Sequence, residues 1–214
     1  MSYQVKEIFY SLQGEGAQTG RAAVFCRFSG CNLWTGREED RKWARCHFCD
    51  TDFLGMNGEH GGMFQSTDRL VEEMRLLWAE NTGETSVTPF VILTGGEPGL
   101  QVDAPLIHRL HQTGFEVAIE TNGTLDLPLG IDWICVSPKS GTQLRMQRGN
   151  EIKIVFPQEN LDPRDFECLA FDYFFLQPRH APEYEENLRQ TIAYCIMNPR
   201  WRLSLQTHKL IGIR

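Results

Sequence analysis

Short apolar runs alternate along the chain with longer amphipathic stretches, and their spacing predicts most of the elements. Residues 4–10 and 22–28 read as two strands, with a turn at Gly14-Glu15-Gly16 between them and Gly30 closing the second. Phe90-Val91-Ile92-Leu93 is an unbroken apolar run, as a strand buried on both faces requires. Further strands are expected over residues 115–119, 133–136, 152–156, 173–176 and 201–206. Leu70, Met74, Leu77 and Trp78 recur on one helical face, so a helix is expected from a cap at Ser66 or Thr67 to Asn81. Residues 81–86 then read as a turn. Two more helices are expected, over residues 104–112 with Gly114 as the stop, and from Pro182-Glu183 to Met197. Residues 31–62 show no period, and a loop of that length in an ordered domain points to function.

Strands thus alternate with about three helices, and no repeat or boundary interrupts the order. The pattern implies a single α/β domain over residues 1–214, built on a mainly parallel sheet with right-handed crossovers. Ligands of such sheets collect at the carboxyl ends of the strands. Five polar groups fall at expected strand ends: Thr94-Gly95-Gly96-Glu97, Glu120-Thr121-Asn122, Ser137-Pro138-Lys139, Gln177-Pro178-Arg179-His180 and Thr207-His208. They predict one shared rim.

Composition narrows the classes. With 21 Lys and Arg against 28 Asp and Glu, the net charge of −7 argues against a nucleic-acid partner held by phosphate contacts. It leaves room for a small anion met by one arginine. No run approaches the roughly 20 apolar residues of a membrane helix. The opening Met1-Ser2-Tyr3-Gln4-Val5-Lys6 lacks a basic region followed by an apolar stretch, so a cytoplasmic protein is expected.

The 7 cysteines divide in two. Cys26, Cys135, Cys168 and Cys195 have apolar surroundings and read as buried core thiols. Cys31, Cys46 and Cys49 share the aperiodic polar segment, where clustering favours a metal over disulfides. Cys46-His47-Phe48-Cys49 lets two thiolates meet one centre across a tight turn, and Cys31 can supply the third. Three thiolates can hold three irons of a cubane cluster and leave the fourth open. Zinc bound by the same thiols and His47 is the rival, although His47 lies awkwardly between two of the ligands.

At these residues the chain resembles the radical S-adenosylmethionine superfamily, whose usual spacing is Cys-x3-Cys-x2-Cys. The interval Asn32 to Arg45 departs from that spacing, and the departure is characteristic of the 7-carboxy-7-deazaguanine synthase family. The resemblance extends over nearly the whole chain. It is carried by Phe9-Tyr10-Ser11-Leu12-Gln13-Gly14-Glu15-Gly16, Phe25-Cys26-Arg27-Phe28-Ser29-Gly30-Cys31-Asn32-Leu33-Trp34 and Cys49-Asp50-Thr51. Thr94-Gly95-Gly96-Glu97-Pro98, Glu120-Thr121-Asn122-Gly123, Ser137-Pro138-Lys139, Gln177-Pro178 and Gln206-Thr207-His208-Lys209 complete it.

The resemblance implies an α/β fold of the partial, open TIM-barrel type, with the cluster loop inserted. It implies a carbon–nitrogen lyase that converts 6-carboxy-5,6,7,8-tetrahydropterin to 7-carboxy-7-deazaguanine with loss of ammonia, on the way to queuosine-type 7-deazapurines. Cys31, Cys46 and Cys49 would hold a [4Fe-4S] cluster, and S-adenosylmethionine would yield a 5′-deoxyadenosyl radical. Phe48, Gly95, Gly96, Glu97, Ser137, Pro138, Lys139, Gln177, Pro178, Arg179 and His180 would contact that cofactor. Leu12, Gln13, Gly14, Arg27, Thr94 and the terminal group of Arg214 would meet the substrate, with Arg27 pairing its carboxylate. Glu15 would take its guanidine-like N–H groups, and Glu120 and His208 are candidates for proton exchange. Thr51 would help bind Mg2+, with Asp50 beside it. A flavodoxin-type reductant and a homodimer fit the family. Two other readings stay open at this point: a radical enzyme acting on a protein, and a non-enzymatic zinc-binding module.

Overall fold

In the computed structural model, which describes residues 2–83 and 86–214, nine strands form one sheet. In chain order they are β1 (Tyr3–Leu12), β2 (Ala22–Phe28), β3 (Gly62–Phe64), β4 (Phe90–Gly95), β5 (Glu116–Thr121), β6 (Trp133–Val136), β7 (Arg148–Phe156), β8 (Ala170–Pro178) and β9 (Trp201–Leu203). The sheet order is β3-β1-β2-β4-β5-β6-β7-β8-β9. β1 pairs antiparallel with β2 and β3, and every later neighbour is parallel. The sheet does not close, so the α/β, open partial-barrel expectation holds.

Three longer helices pack on the sheet, the first two of them capped by side chains. α1 (Thr67–Thr82) starts where the Ser66 side chain accepts from the Arg69 N–H, and it buries Leu70, Val71, Met74, Leu77 and Trp78. α2 (Ala104–Gln112) is capped by Asp103, which accepts from the Leu106 N–H at 3.0 Å. α3 (Tyr184–Met197) packs on β8 and β9. One apolar cluster joins α1 and α2 to β1, β2, β4 and β5. A second gathers Val136, Ile152, Ile154, Phe171, Phe174, Leu176 and Trp201 beside α3.

β4 is apolar on both faces, as Phe90 to Leu93 are all buried, whereas β7 has one apolar face against helices and one charged face. Along β7, Ile152 and Ile154 enter the second cluster, whereas Glu151 and Lys153 point away from it and are also buried. Such buried charges persist only when paired.

Several expectations change. The last strand stops at Leu203, and residues expected as its end form a short helix, α4 (Thr207–Ile211). The turn expected over residues 81–86 begins later, because α1 runs to Thr82; Glu84 and Thr85 lie outside the described residues. The aperiodic segment contains a 3-10 helix over Glu38–Trp43 and ends in β3, too short to show an alternation. Cys26 and Cys135 are buried as expected, but Cys195 is half-buried and Cys168 is exposed. Cys168 lies in the turn before β8, where Phe166 and Leu169 take the inward positions.

Candidate active site

A cavity of about 410 Å3 opens at the carboxyl ends of the strands. All five polar groups expected on one rim contribute to it: Thr94, Gly95 and Gly96 from β4, Glu120 to Asn122 from β5, Ser137 and Lys139 after β6, Gln177 to His180 from β8, and His208. His208 arrives on α4 rather than on a strand.

One wall is the thiol loop. Cys31, Cys46 and Cys49 all line the cavity, with Phe48 between the latter two. The long interval before Cys46 is built around the buried Trp34, whose ring packs edge-on against Phe53 with centroids 5.6 Å apart and carries the Arg41 guanidinium at 4.1 Å. Arg41 donates to the carbonyls of His47 at 2.8 Å and Cys49 at 3.0 Å, and the Arg45 N–H reaches the Leu33 carbonyl at 3.0 Å. The insertion is thus a small folded unit that fixes the Cys46–Cys49 turn. A hydrogen bond from Cys46 pulls the Cys49 thiol down to about 6, and the same bond pushes Cys46 up. A thiolate is the ligand form of cysteine.

The Cys31 side of the wall depends on glycine. A Cβ at Gly96 would sit 2.1 Å from the Gly30 carbonyl oxygen and 2.9 Å from the Cys31 Cβ. The end of β4 is therefore pressed onto the Cys31 turn, which the Glu97 N–H secures through the Gly30 carbonyl at 2.9 Å. Glu97 does not line the cavity. Its carboxylate is fully buried and accepts from Gly99 N at 2.8 Å, Thr121 Oγ1 at 2.7 Å and Asn122 N at 2.7 Å. It pins the ends of β4 and β5 together, and burial raises its pKa against those three donors. Pro138 also lies outside the lining.

The floor and opposite wall are charged. Lys153 Nζ lies 2.5 Å from Glu15 Oε2 and 3.0 Å from Glu120 Oε2. Gln13 Nε2 donates to Glu120 Oε1 at 2.8 Å, and Gln206 Nε2 donates to Glu15 Oε1 at 3.0 Å. Burial opposes the Glu15 charge, yet the Lys153 ammonium holds the carboxyl below its ordinary value. Burial likewise opposes the Lys153 charge, and Glu120 and Glu15 hold its pKa well above the ordinary value. Leu12 and Gly14 complete this side, and a Cβ at Gly14 would meet the His208 ring at 2.1 Å. Burial lowers the His208 pKa, with Glu15 opposing, which favours the neutral ring.

Arg27 reaches the cavity from β2 with its side chain 19% exposed, and its Nε donates to Glu7 Oε1 at 2.8 Å. The other Glu7 oxygen pairs with Arg214, which also meets Glu59. Thr51 lines the cavity, whereas the Asp50 carboxylate is engaged by Lys209 at 2.5 Å and Gln206 at 3.2 Å. The Arg179 Nε is buried without a hydrogen-bond partner among the described residues. The sequence reading missed Lys153, Glu7 and Gln206 as site residues. A lysine inside the apolar run Ile152-Lys153-Ile154-Val155 was the available signal.

The zinc reading finds little support in this geometry. His47 is exposed and lines a separate outer hollow, not the thiol cavity. Among the described residues, no group of three or more His, Cys, Asp or Glu is arranged to hold a single metal ion. Three thiols that line one cavity instead supply the ligands a sulfur-ligated group takes.

An open α/β barrel with a thiol-lined, charge-floored cavity at its strand ends defines a small-molecule enzyme of the partial-barrel class. Comparison with known proteins narrows this. The chain is 55% identical over 214 residues to the 7-carboxy-7-deazaguanine synthase of Bradyrhizobium diazoefficiens, with 100% of both chains covered. It is 55% identical over 213 residues to the enzyme of that name from Bordetella pertussis, again with 100% of both covered. The crystal structure of QueE from Escherichia coli superposes with a TM-score of 0.71 at 30% identity, covering 97% of this chain and 95% of that one. No family model matches the chain. The chain belongs to the 7-carboxy-7-deazaguanine synthase family.

Proposed function

We propose that this chain is a radical S-adenosylmethionine enzyme, one domain over residues 1–214, that converts 6-carboxy-5,6,7,8-tetrahydropterin to 7-carboxy-7-deazaguanine with loss of ammonia. The observation that carries this reading is one cavity lined both by three thiols and by Arg27, Glu15 and Glu120. Cys31, Cys46 and Cys49 would hold a [4Fe-4S] cluster. Bound there with S-adenosylmethionine, it supplies one-electron, hydrogen-abstracting chemistry.

The residues of the chain do the rest. Backbone at Gly95 and Gly96, with Ser137, Lys139, Gln177, Pro178, Arg179, His180 and the Phe48 ring, lines the same cavity and suits the cofactor's amino-acid and adenine groups. On the far side, Nε of Arg27 is taken by Glu7, so its two terminal nitrogens remain to pair a ligand carboxylate bidentately. Glu15 and Glu120 accept from ring and amino N–H groups, and Leu12, Gln13, Gly14 and Thr94 frame the ring edge. Thr51 offers a hard oxygen to Mg2+ shared with the substrate. Asp50, tied to Lys209, acts on that ion through its charge. Glu120 and the neutral His208 flank the ring and can move protons. The end of the chain at Arg214 reaches the same cavity.

A flavodoxin-type reductant, a homodimer, a cytoplasmic location and a role in making queuosine precursors belong to this proposal. No helix among the described residues is long and apolar enough to cross a membrane. The test is anaerobic incubation of reconstituted protein with S-adenosylmethionine, reductant, Mg2+ and the carboxytetrahydropterin. The deazaguanine is expected. An intact cluster with no turnover under those conditions would sink the proposal, and 5′-deoxyadenosine formed only with an added protein partner would favour a protein-activating enzyme.

A further inference from the structure

Lys153 has no role in the reaction as described above, yet it lines the cavity between two carboxylates. It sits mid-strand on β7 with a side chain only 3% exposed. Apolar neighbours Ile152 and Ile154 turn to the helix side, which leaves the ammonium among carboxylates on the other. Burying an ammonium is costly unless it is well paired, so the strand would be more simply built with an apolar residue there.

We infer that Lys153 is a positioning residue, which holds Glu15 and Glu120 apart and orients them as two acceptors for the donor-rich edge of the ligand. The inference rests on the proposed function for the identity of that ligand. Glu15 comes from the β1–β2 loop and Glu120 from the end of β5, and Lys153 Nζ bridges one oxygen of each, at 2.5 and 3.0 Å. The second oxygen of each is held by an amide, Gln206 for Glu15 and Gln13 for Glu120. Both carboxylate planes are thereby set. An ionised carboxylate has about four acceptor positions, so each keeps capacity for a ligand N–H.

Without the ammonium, two half-buried carboxylates would face each other across its place, and Glu15, freed of the charge that holds its pKa down, would take up a proton more readily. A protonated carboxyl donates where the ligand also donates. The effect would be greatest on recognition of adjacent N–H groups, such as a 2-aminopyrimidinone edge. The other charged and titratable groups around Lys153 do not substitute for it. Glu151 and the buried Cys135 lie beside it on β7 and β6, and Glu151 adds negative charge that is partly spent on the Ala17 N–H at 2.8 Å. His208 on α4 faces Glu15, Lys209 and Asp50 act on His208 in turn, and Lys209 is committed to Asp50. The low pKa of Glu15 and the high pKa of Lys153 agree with the geometry.

The test uses Lys153→Met and Lys153→Gln in the full chain, with 6-carboxypterin as the binding probe in calorimetric titrations across pH. Iron content and melting temperature report whether fold and thiol loop are intact. Both variants are expected to bind the probe about tenfold or more weakly, and the acid limb of binding is expected to move up by about one pH unit or more. A purely structural lysine would not move that limb. Wild-type affinity and an unshifted limb in a folded Lys153→Gln protein would overturn the inference. If Lys153→Met is unstable, adding Glu120→Gln removes the like-charged neighbour and is expected to recover stability; no recovery would equally overturn it. A wild-type protein that cleaves S-adenosylmethionine but binds no pterin refutes the substrate reading, and the inference falls with it.

Discussion

Gly96 offers the sharpest test of how the fold builds the thiol wall. Its φ is not in the left-handed region, so alanine there meets no intrinsic backbone strain. The obstacle is contact alone: the added Cβ would lie 2.1 Å from the Gly30 oxygen and 2.7 Å from its carbonyl carbon. That is roughly 1 Å or more inside ordinary van der Waals separation, and the opposing atoms are backbone that cannot swing aside. The Gly30–Cys31 turn must retreat, which breaks the 2.9 Å bond from the Glu97 N–H and displaces Cys31 from the wall. Overpacking of this kind costs about 1–3 kcal/mol. Gly96→Ala is therefore expected to lower the urea midpoint of the cluster-free protein and to retain well under half the wild-type iron after reconstitution. Gly114→Ala is the control. Its φ of +87° is strained for alanine, but nothing lies within 4 Å of the new Cβ. It should lose about 1 kcal/mol of stability and keep its iron. Full iron loading and unchanged stability in Gly96→Ala would refute the reasoning.

Other outcomes follow from the same geometry. Arg27→Ala should raise the apparent substrate KM by about tenfold or more while changing uncoupled S-adenosylmethionine cleavage far less, because Glu7 fixes the guanidinium that is proposed to pair the substrate carboxylate; equal losses in both assays would contradict a carboxylate clamp. Thr51→Ala should raise the Mg2+ concentration needed for half-maximal turnover and leave iron content unchanged, and loss of iron would show that Thr51 shapes the loop instead. Glu15 has a lowered pKa, so its pairing with Lys153 stabilises the fold above the ordinary carboxyl value of 4.5 and is lost as pH falls through the lower folded value. Lys153 has a raised pKa, so its contribution is complete below 10.5 and is lost only above that. The stability difference between wild-type and Glu15→Gln protein in urea melts should accordingly be flat from about pH 6 to 9 and shrink below 4.5. The difference is the proper readout, because Glu97 and Glu151 have pKa values raised by burial and act in the opposite direction.

Much of this protein is legible in its residues. The stripe Leu70, Met74, Leu77 and Trp78, the run Phe90 to Leu93 and the caps at Ser66 and Gly114 report local burial and local hydrogen bonding, which need no distant partner to be recognised. The spacing of Cys31, Cys46 and Cys49 and the polar residues at strand ends are likewise local patterns, and the topology of a parallel sheet brings the ends to one side. Only the tertiary structure decided which side chains spend themselves on one another. Glu97 resembles a rim carboxylate in sequence, but three donors from two strand ends bury it as a pin. Thr207 and His208 continue an extended pattern, yet the chain turns into α4, whose His208 packs on Gly14. Lys153 meets Glu15, 138 positions away, and Gln206 meets Glu15 across 191. Such pairings depend on strand register and on where loops return, and a one-residue slip in β7 would turn Lys153 toward the helices. Periodicity records which face of an element is buried, whereas the charges that share that face are set by the whole sheet.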